Sequence, residues 1–306
     1  MLIALVGLVC AGKSSVADYL IDKHGFTQIT LAPKSPGALH FDSPEAMLHH
    51  VTAHWRTNYV TLDLDTTELV GMFDKRPFFL LVGIEAPMML RWTRAKARRD
   101  ASASNARDTL DLASFVAHDD RVMYGTSHTS DGDTQHLAKD VSNLSFLHQS
   151  GSLISASMPS SNGALAALLS RSQLRIANTM RTLPELYAHL DTLSLTSMHR
   201  LRPTWDAYFV SLCSLASLRS NCMKRRVGAV IVRKNRVLST GYNGTPRGLT
   251  NCNEGGCARC NESASCGSNL DECLCLHAEE NALLELGRDR GGAEGTIIYC
   301  NTYVLG

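Results

Sequence analysis

The sequence predicts an α/β chain in two domains, the first on a parallel sheet and the second a smaller α/β unit. Three observations carry this. The chain has 306 residues, 44% of them hydrophobic, which exceeds the usual single domain of about 100–200 residues and is enough to bury two cores. Short, wholly apolar runs of strand length recur through its first part, as buried parallel strands require. Eight of the ten cysteines crowd between Cys222 and Cys300, marking off a chemically different second part.

In order along the chain, Leu2-Ile-Ala-Leu-Val6 is the first apolar strand. Residues 1–9 are too short, and lack the basic leader, for a secretory signal. Gly7-Leu-Val-Cys-Ala-Gly12-Lys13-Ser14 follows, matching G-x-x-x-x-G-K-[ST] at every fixed position. A helix over residues 15–23 comes next, with Val16 and Leu20 on one face and Gly25 at its end. Strand, glycine-rich turn and helix is the context of a P-loop. There the amides of Gly7 and Gly12 face phosphates, Lys13 neutralises their charge, and Ser14 holds Mg²⁺. The expected ligand is an ATP-like nucleotide.

Residues 59–64 and 78–84 read as further buried strands. Ile84-Glu-Ala-Pro-Met, followed by Arg91, Arg94, Lys96, Arg98 and Arg99, resembles small nucleotide kinases and dephospho-coenzyme A kinases. In those, such arginines sit in a lid over the phosphates. Residues 142–171 are rich in Ser and Ala without periodicity and read as a loop or disordered insertion. A strand over 173–178 and a helix over 183–193 close this P-loop domain, assigned to 1–193. A linker, 194–201, follows.

The second domain, 202–306, opens with a helix beginning near Pro203, with Trp205, Phe209, Leu212 and Ala216 at helical spacing. Residues 227–233 and 236–242 form a hairpin turning at Lys234-Asn235. It ends in Gly241-Tyr-Asn243-Gly244-Thr-Pro246, a loop that lets backbone approach a ligand, with Asn243 able both to donate and to accept. His277-Ala-Glu279 opens the next helix. A His two residues before a Glu supplies one imidazole to Zn²⁺ and sets a carboxylate beside a metal-bound water to move protons.

These segments resemble the deoxycytidylate (dCMP) deaminases. Arg202-Pro-Thr-Trp-Asp-Ala-Tyr-Phe, Arg219-Ser-Asn-Cys-Met-Lys-Arg-Arg-Val-Gly-Ala-Val-Ile-Val, Thr240-Gly-Tyr-Asn-Gly-Thr-Pro and His277-Ala-Glu-Glu-Asn-Ala stand in that family's order and spacing. The likeness is to the fungal type, which carries a nucleotide-kinase-like domain in front. It implies a cytidine-deaminase-like α/β/α second domain and zinc-dependent conversion of dCMP to dUMP and ammonia for thymidylate synthesis. It also implies regulation by dCTP and dTTP and a homo-oligomer. His277 would ligate the catalytic zinc, Glu279 would carry protons, and Asn243 and Gly244 would bind substrate. Lys224, Arg225, Arg226 and Arg247 are candidates for the substrate phosphate.

Residues 296–302 match the family strand that runs into Pro-Cys-x-x-Cys, and that motif does not follow here. The resulting expectation is a truncated deaminase domain, incomplete and inactive as it stands, with Cys300 outside the metal shell. An alternative is a nucleotide-kinase-like protein with a deaminase remnant. The family also implies a structural zinc with ligands matching Cys222 and Cys252. Cys257, Cys260, Cys273 and Cys275 supply the remainder, and the spacing leaves open which two.

A net charge of +1 gives no global pull towards nucleic acid or anionic membrane, which argues against a nucleic-acid deaminase. No apolar run reaches the roughly 18 residues a membrane span needs. Clustered cysteines in a long chain read as reduced metal ligands in the cytoplasm.

Overall fold

Strand β1 (Leu2–Val6) is buried along its whole length, because it runs between two parallel neighbours and is covered on both faces. The structure is a computed structural model describing residues 1–32, 37–102, 111–125, 165–262, 264–265, 267–287 and 291–302. It divides into two units, Met1–Arg202 and Pro203–Gly306.

In the first unit β2 (Thr27–Thr30), β3 (Leu39–His40), β4 (Tyr59–Thr61), β5 (Phe79–Glu85) and β6 (Leu174–Ala177) join β1 in the order β3-β2-β4-β1-β5-β6. Every pairing is parallel. The helices, in chain order, are α1 (Lys13–His24), α2 (Pro44–Ala53), α3 (Thr67–Phe73), α4 (Met88–Ser102), α5 (Leu112–Tyr124), α6 (Leu165–Arg171) and α7 (Leu183–Leu193). Side chains alternate across a strand, so β1 feeds two cores. Ile3 and Leu5 pack with Val16, Leu20, Val82, Leu186 and Leu190 on one face. Leu2, Ala4 and Val6 pack with Met47, Val51, Phe73 and Leu168 on the other.

Of the stretch read as an insertion, residues 142–164 lie outside the described residues. Residues 165–171 are helix α6, whose Leu165, Leu168 and Leu169 are buried. Two arginines of the basic run serve as internal ties. Arg91, almost wholly buried, pairs with Asp119 of α5 and donates from Nε to Ala86 O at 3.1 Å. Arg94 Nη1 donates to Cys10 O at 3.1 Å.

The P-loop designation of this unit is corrected to a plainer one, an α/β domain on a parallel sheet. The glycine-rich turn is closed on itself: Lys13 Nζ donates to the carbonyl oxygens of Gly7 and Leu8, the second at 3.1 Å. Gly12, at φ 109°, caps α1 in a left-handed conformation, and a Cβ there would lie 2.3 Å from the Asn178 amide nitrogen. Among the described residues no helix is long and apolar enough to cross a membrane.

The second unit is built on β7 (Gly228–Arg233), β8 (Arg236–Tyr242) and β9 (Ile297–Cys300), antiparallel in the order β8-β7-β9. Lys234 and Asn235, at φ 48° and 59°, make the two-residue turn between β7 and β8. Helix α8 (Trp205–Ser217) lies on one face, where Phe209 and Cys213 meet Val230 and Val232. After α9 (Ala258–Asn261), α10 (Ala278–Leu286) takes the other face, where Ala278, Ala282 and Leu286 meet Ala229 and Ile231. Gly241 lets α10 approach the sheet closely, for a Cβ there would lie 2.1 Å from Ala278 O.

The expectation of an incomplete second domain is also corrected. This α/β/α unit has both faces of its sheet covered, and it brings the thiols of Cys222, Cys252, Cys260 and Cys275 within 4.8 Å of one another. That is a formed metal-binding arrangement.

Candidate metal centre and active site

The loop after α8, the loop around α9 and the approach to α10 converge through their cysteines. Cys252 and Cys257 are wholly buried, Cys260 nearly so, and Cys222, Cys273 and Cys275 pack against them half-buried. Two groups of four thiols result: Cys222, Cys252, Cys260 and Cys275, and Cys257, Cys260, Cys273 and Cys275. Polar residues order the loop. Asn261 Nδ2 donates to Cys252 O at 2.8 Å and to Cys257 O at 2.9 Å. Arg259 Nε donates to Ser268 O at 2.7 Å.

The titration of these thiols reflects their crowding. Burial works to raise Cys257, but the amides of Cys260 and Leu274 outweigh it and bring the thiol down to about 7. Burial likewise opposes ionisation of Cys222, and the amides of Arg225 and Lys224 hold it below its ordinary value. Cys260 and Cys275 are pushed up, first by burial and then by neighbouring thiols. Buried thiols this close cannot all ionise without a compensating cation. An all-thiolate donor set suits a soft-tolerant ion such as Zn²⁺, so the residues fit the metal.

His277 sits at the N-cap of α10, its backbone N–H donating to the Glu280 carboxylate at 2.8 Å. Asn281 Nδ2 donates to Tyr242 O at 2.9 Å, fastening the helix to the end of β8. One residue before His277, Leu276 pairs with Gly244 as an isolated antiparallel bridge. Asn243 is thereby held beside the start of α10. It is buried, its Nδ2 donates to Arg225 O at 3.4 Å, and its Oδ1 has no partner among the described residues. Glu279 lies in the first turn of α10. The Cys300 thiol is pushed up by burial and, in part, by the neighbouring Glu279 carboxylate.

The structure therefore brings the six cysteines together and sets Asn243 and Gly244 against the His277 turn. Among the described residues His277 and Cys300 belong to neither thiol group. Gly7, Gly12, Lys13 and Ser14 lie in the other unit. Of the phosphate candidates, Lys224 Nζ donates to Ala264 O at 2.6 Å; the side chains of Arg225, Arg226 and Arg247 are exposed. Sequence reasoning missed Asn221, whose Oδ1 accepts from Thr245 N at 3.3 Å and whose Nδ2 donates to Asn251 Oδ1 at 2.8 Å. It joins the substrate-side loop to the cysteine loop. Its place directly before Cys222 was the available signal.

Residues 203–303 match the family model for the cytidine and deoxycytidylate deaminase zinc-binding region. The deoxycytidylate deaminase of Schizosaccharomyces pombe is 41% identical over 98% of this chain and 83% of its own length. That of Saccharomyces cerevisiae is 36% identical over 99% of this chain and 82% of its own. A solved dCMP deaminase from cyanophage S-TIM5, in complex with dCMP and dUMP, is 29% identical over 32% of this chain and 65% of its own, with a TM-score of 0.25.

These findings correct the reading of a truncated, inactive deaminase. The cysteine site is formed within the chain, and the fungal deaminases align along nearly all of it. The alternative of a kinase-like protein with a deaminase remnant falls with it. The chain belongs to the deoxycytidylate deaminase family, zinc-binding hydrolases of pyrimidine nucleotide metabolism.

Proposed function

We propose that this protein deaminates dCMP to dUMP by zinc-dependent hydrolysis, with His277 as a ligand of the catalytic metal and Glu279 as the proton carrier. The observation that carries the reading is the Gly244–Leu276 bridge. It holds Asn243, with its unpartnered buried amide oxygen, beside the helix that begins with His277 and Glu279. Zinc bound there through His277 would supply an acidified water for attack on C4 of the pyrimidine. Glu279 would move both protons of that water in turn, the first to N3 and the second, from the hydroxyl added at C4, to the departing amine. Asn243 and Gly244 orient the sugar or base, and a cation from among Lys224, Arg225, Arg226 and Arg247 meets the phosphate. The cysteine cluster holds structural zinc that fixes the loop leading into His277. The test is conversion of dCMP to dUMP followed by chromatography, with Glu279→Gln as the control that keeps the metal and loses the reaction.

The fungal resemblance supports two extensions, regulation by dCTP and dTTP and assembly into a homo-oligomer. Activity curves with each nucleotide and light scattering test them. The left-handed Gly12 cap and the buried ammonium beside it support a further one. In it, Gly7, Gly12, Lys13 and Ser14 take the phosphates of an ATP-like nucleotide with Mg²⁺ once Lys13 releases its carbonyl partners. Retention on ATP resin by the wild type and not by Lys13→Ala tests it. Free thiols throughout the described residues support a reducing, cytoplasmic location.

A further inference from the structure

The two thiol groups share members. Cys260 and Cys275 belong to both, Cys222 and Cys252 only to the first, and Cys257 and Cys273 only to the second. One tetrahedral zinc has four corners, so either group alone leaves two cysteines idle. In the first case these include wholly buried Cys257, and in the second wholly buried Cys252.

The spacing fits two tetrahedra. With Zn–S bonds near 2.3 Å, the sulfurs of one tetrahedron stand about 3.8 Å apart. Cys222 and Cys260 are separated by 3.8 Å, an edge of the first group. Cys260 and Cys273 are separated by 3.9 Å, an edge of the second. Cys260 and Cys275, at 3.9 Å, form the edge common to both. Two tetrahedra joined along an edge place two metals on six sulfurs, with the shared pair bridging.

We infer that the six cysteines hold a binuclear zinc–thiolate cluster, in which Cys260 and Cys275 bridge two Zn²⁺ ions. Cys222 and Cys252 complete one ion and Cys257 and Cys273 the other. Occupancy favours this over a single ion: one tetrahedral Zn²⁺ leaves two of these six thiols unligated, whereas two ions engage all six and leave a net charge of about −2 on the cluster. Nitrogen donors meet the remainder at terminal sulfurs: Met223 N reaches Cys252 Sγ at 3.4 Å, and Arg259 Nη1 reaches Cys273 Sγ at 3.7 Å. The cluster ties the loop after α8 to the residue two before His277. It therefore braces the catalytic turn from a polar segment with little apolar core of its own.

The inference rests on the zinc reading of the cysteine cluster and is independent of the deamination reaction. The test is ¹¹³Cd NMR of the reduced, full-length protein loaded with ¹¹³Cd²⁺. Two resonances in the all-thiolate region are expected, with the β protons of Cys260 and Cys275 correlated to both. Cadmium held through His277 resonates apart from these, so the deaminase site is counted separately. A single all-thiolate resonance would overturn the binuclear cluster and leave a mononuclear zinc site. No all-thiolate resonance would overturn the zinc reading as well. Cys273→Ser should lose one of the two resonances, while Cys260→Ser should lose or shift both. The wild-type spectrum decides the matter even where a variant fails to fold.

Discussion

Gly244 and Leu276 exchange two backbone hydrogen bonds, Leu276 N to Gly244 O at 2.8 Å and Gly244 N to Leu276 O at 3.3 Å. Through this one bridge the loop after β8 and the approach to α10 become a single wall. The candidate substrate residue Asn243 and the candidate metal ligand His277 each lie one residue away from it.

Glu279→Gln should abolish dUMP formation while zinc content stays at the wild-type level. Positioned proton transfer contributes typically about 10²–10⁴-fold, so the expected loss is at least a hundredfold. Steady-state rates together with elemental analysis check it. A variant within tenfold of wild type would remove Glu279 from the reaction.

Gly241→Ala should destabilise the second unit and displace α10. Its Cβ would meet backbone at Ala278 O and, at 2.4 Å, at Ala282 N, and backbone cannot swing aside as a side chain can. The cost should be about 1–3 kcal/mol or more, as for overpacked cores. It is read as a lowered denaturant midpoint, with activity lost in parallel because His277 moves with the helix.

Chelation of zinc from the reduced protein should lower the melting temperature and expose residues 251–275 to protease. Among its described residues that segment contains only short turns and α9, and thiolate–metal bonds stand in for packing there. Cys222→Ser or Cys252→Ser should reproduce part of both effects, measured by thermal scanning and limited proteolysis. Unchanged cleavage after metal removal would refute the structural role.

Lys13 should leave a signature in the pH dependence of stability. Burial lowers it from 10.5 to about 8. Between those values the unfolded chain binds the proton and the folded chain does not, so unfolding takes up protons and stability from this group rises with pH. Below about 8 the destabilisation is present in full. Above the unfolded value it is gone. Urea midpoints at the two ends of this window, compared between wild type and Lys13→Gln, isolate the term. The wild type should gain on the variant as pH rises, and equal slopes would contradict the assignment.

Much of the architecture was legible in the residues themselves. Leu2-Ile-Ala-Leu-Val6 reads as a strand covered on both faces, since it offers no polar side to water. Residues 227–242 are two strand-length runs split by the two-residue turn Lys234-Asn235, as a hairpin requires. His277-Ala-Glu279 has the local spacing that the proposed metal ligand and proton carrier need. Such features depend on neighbours in sequence, and sequence carries them directly. The tie from Arg94 to Cys10 O and the burial of Arg91 against Asp119 depend on groups that only folding brings near. The cysteines show the division most clearly. Their identity and crowding along the chain marked a metal site, but C-x₄-C-x₂-C and C-x-C spacing is equally compatible with several ligand sets. A metal shell is chosen by distances between sulfurs, and those were decided by the tertiary structure when it brought Cys222, the α9 loop and the approach to α10 to one point.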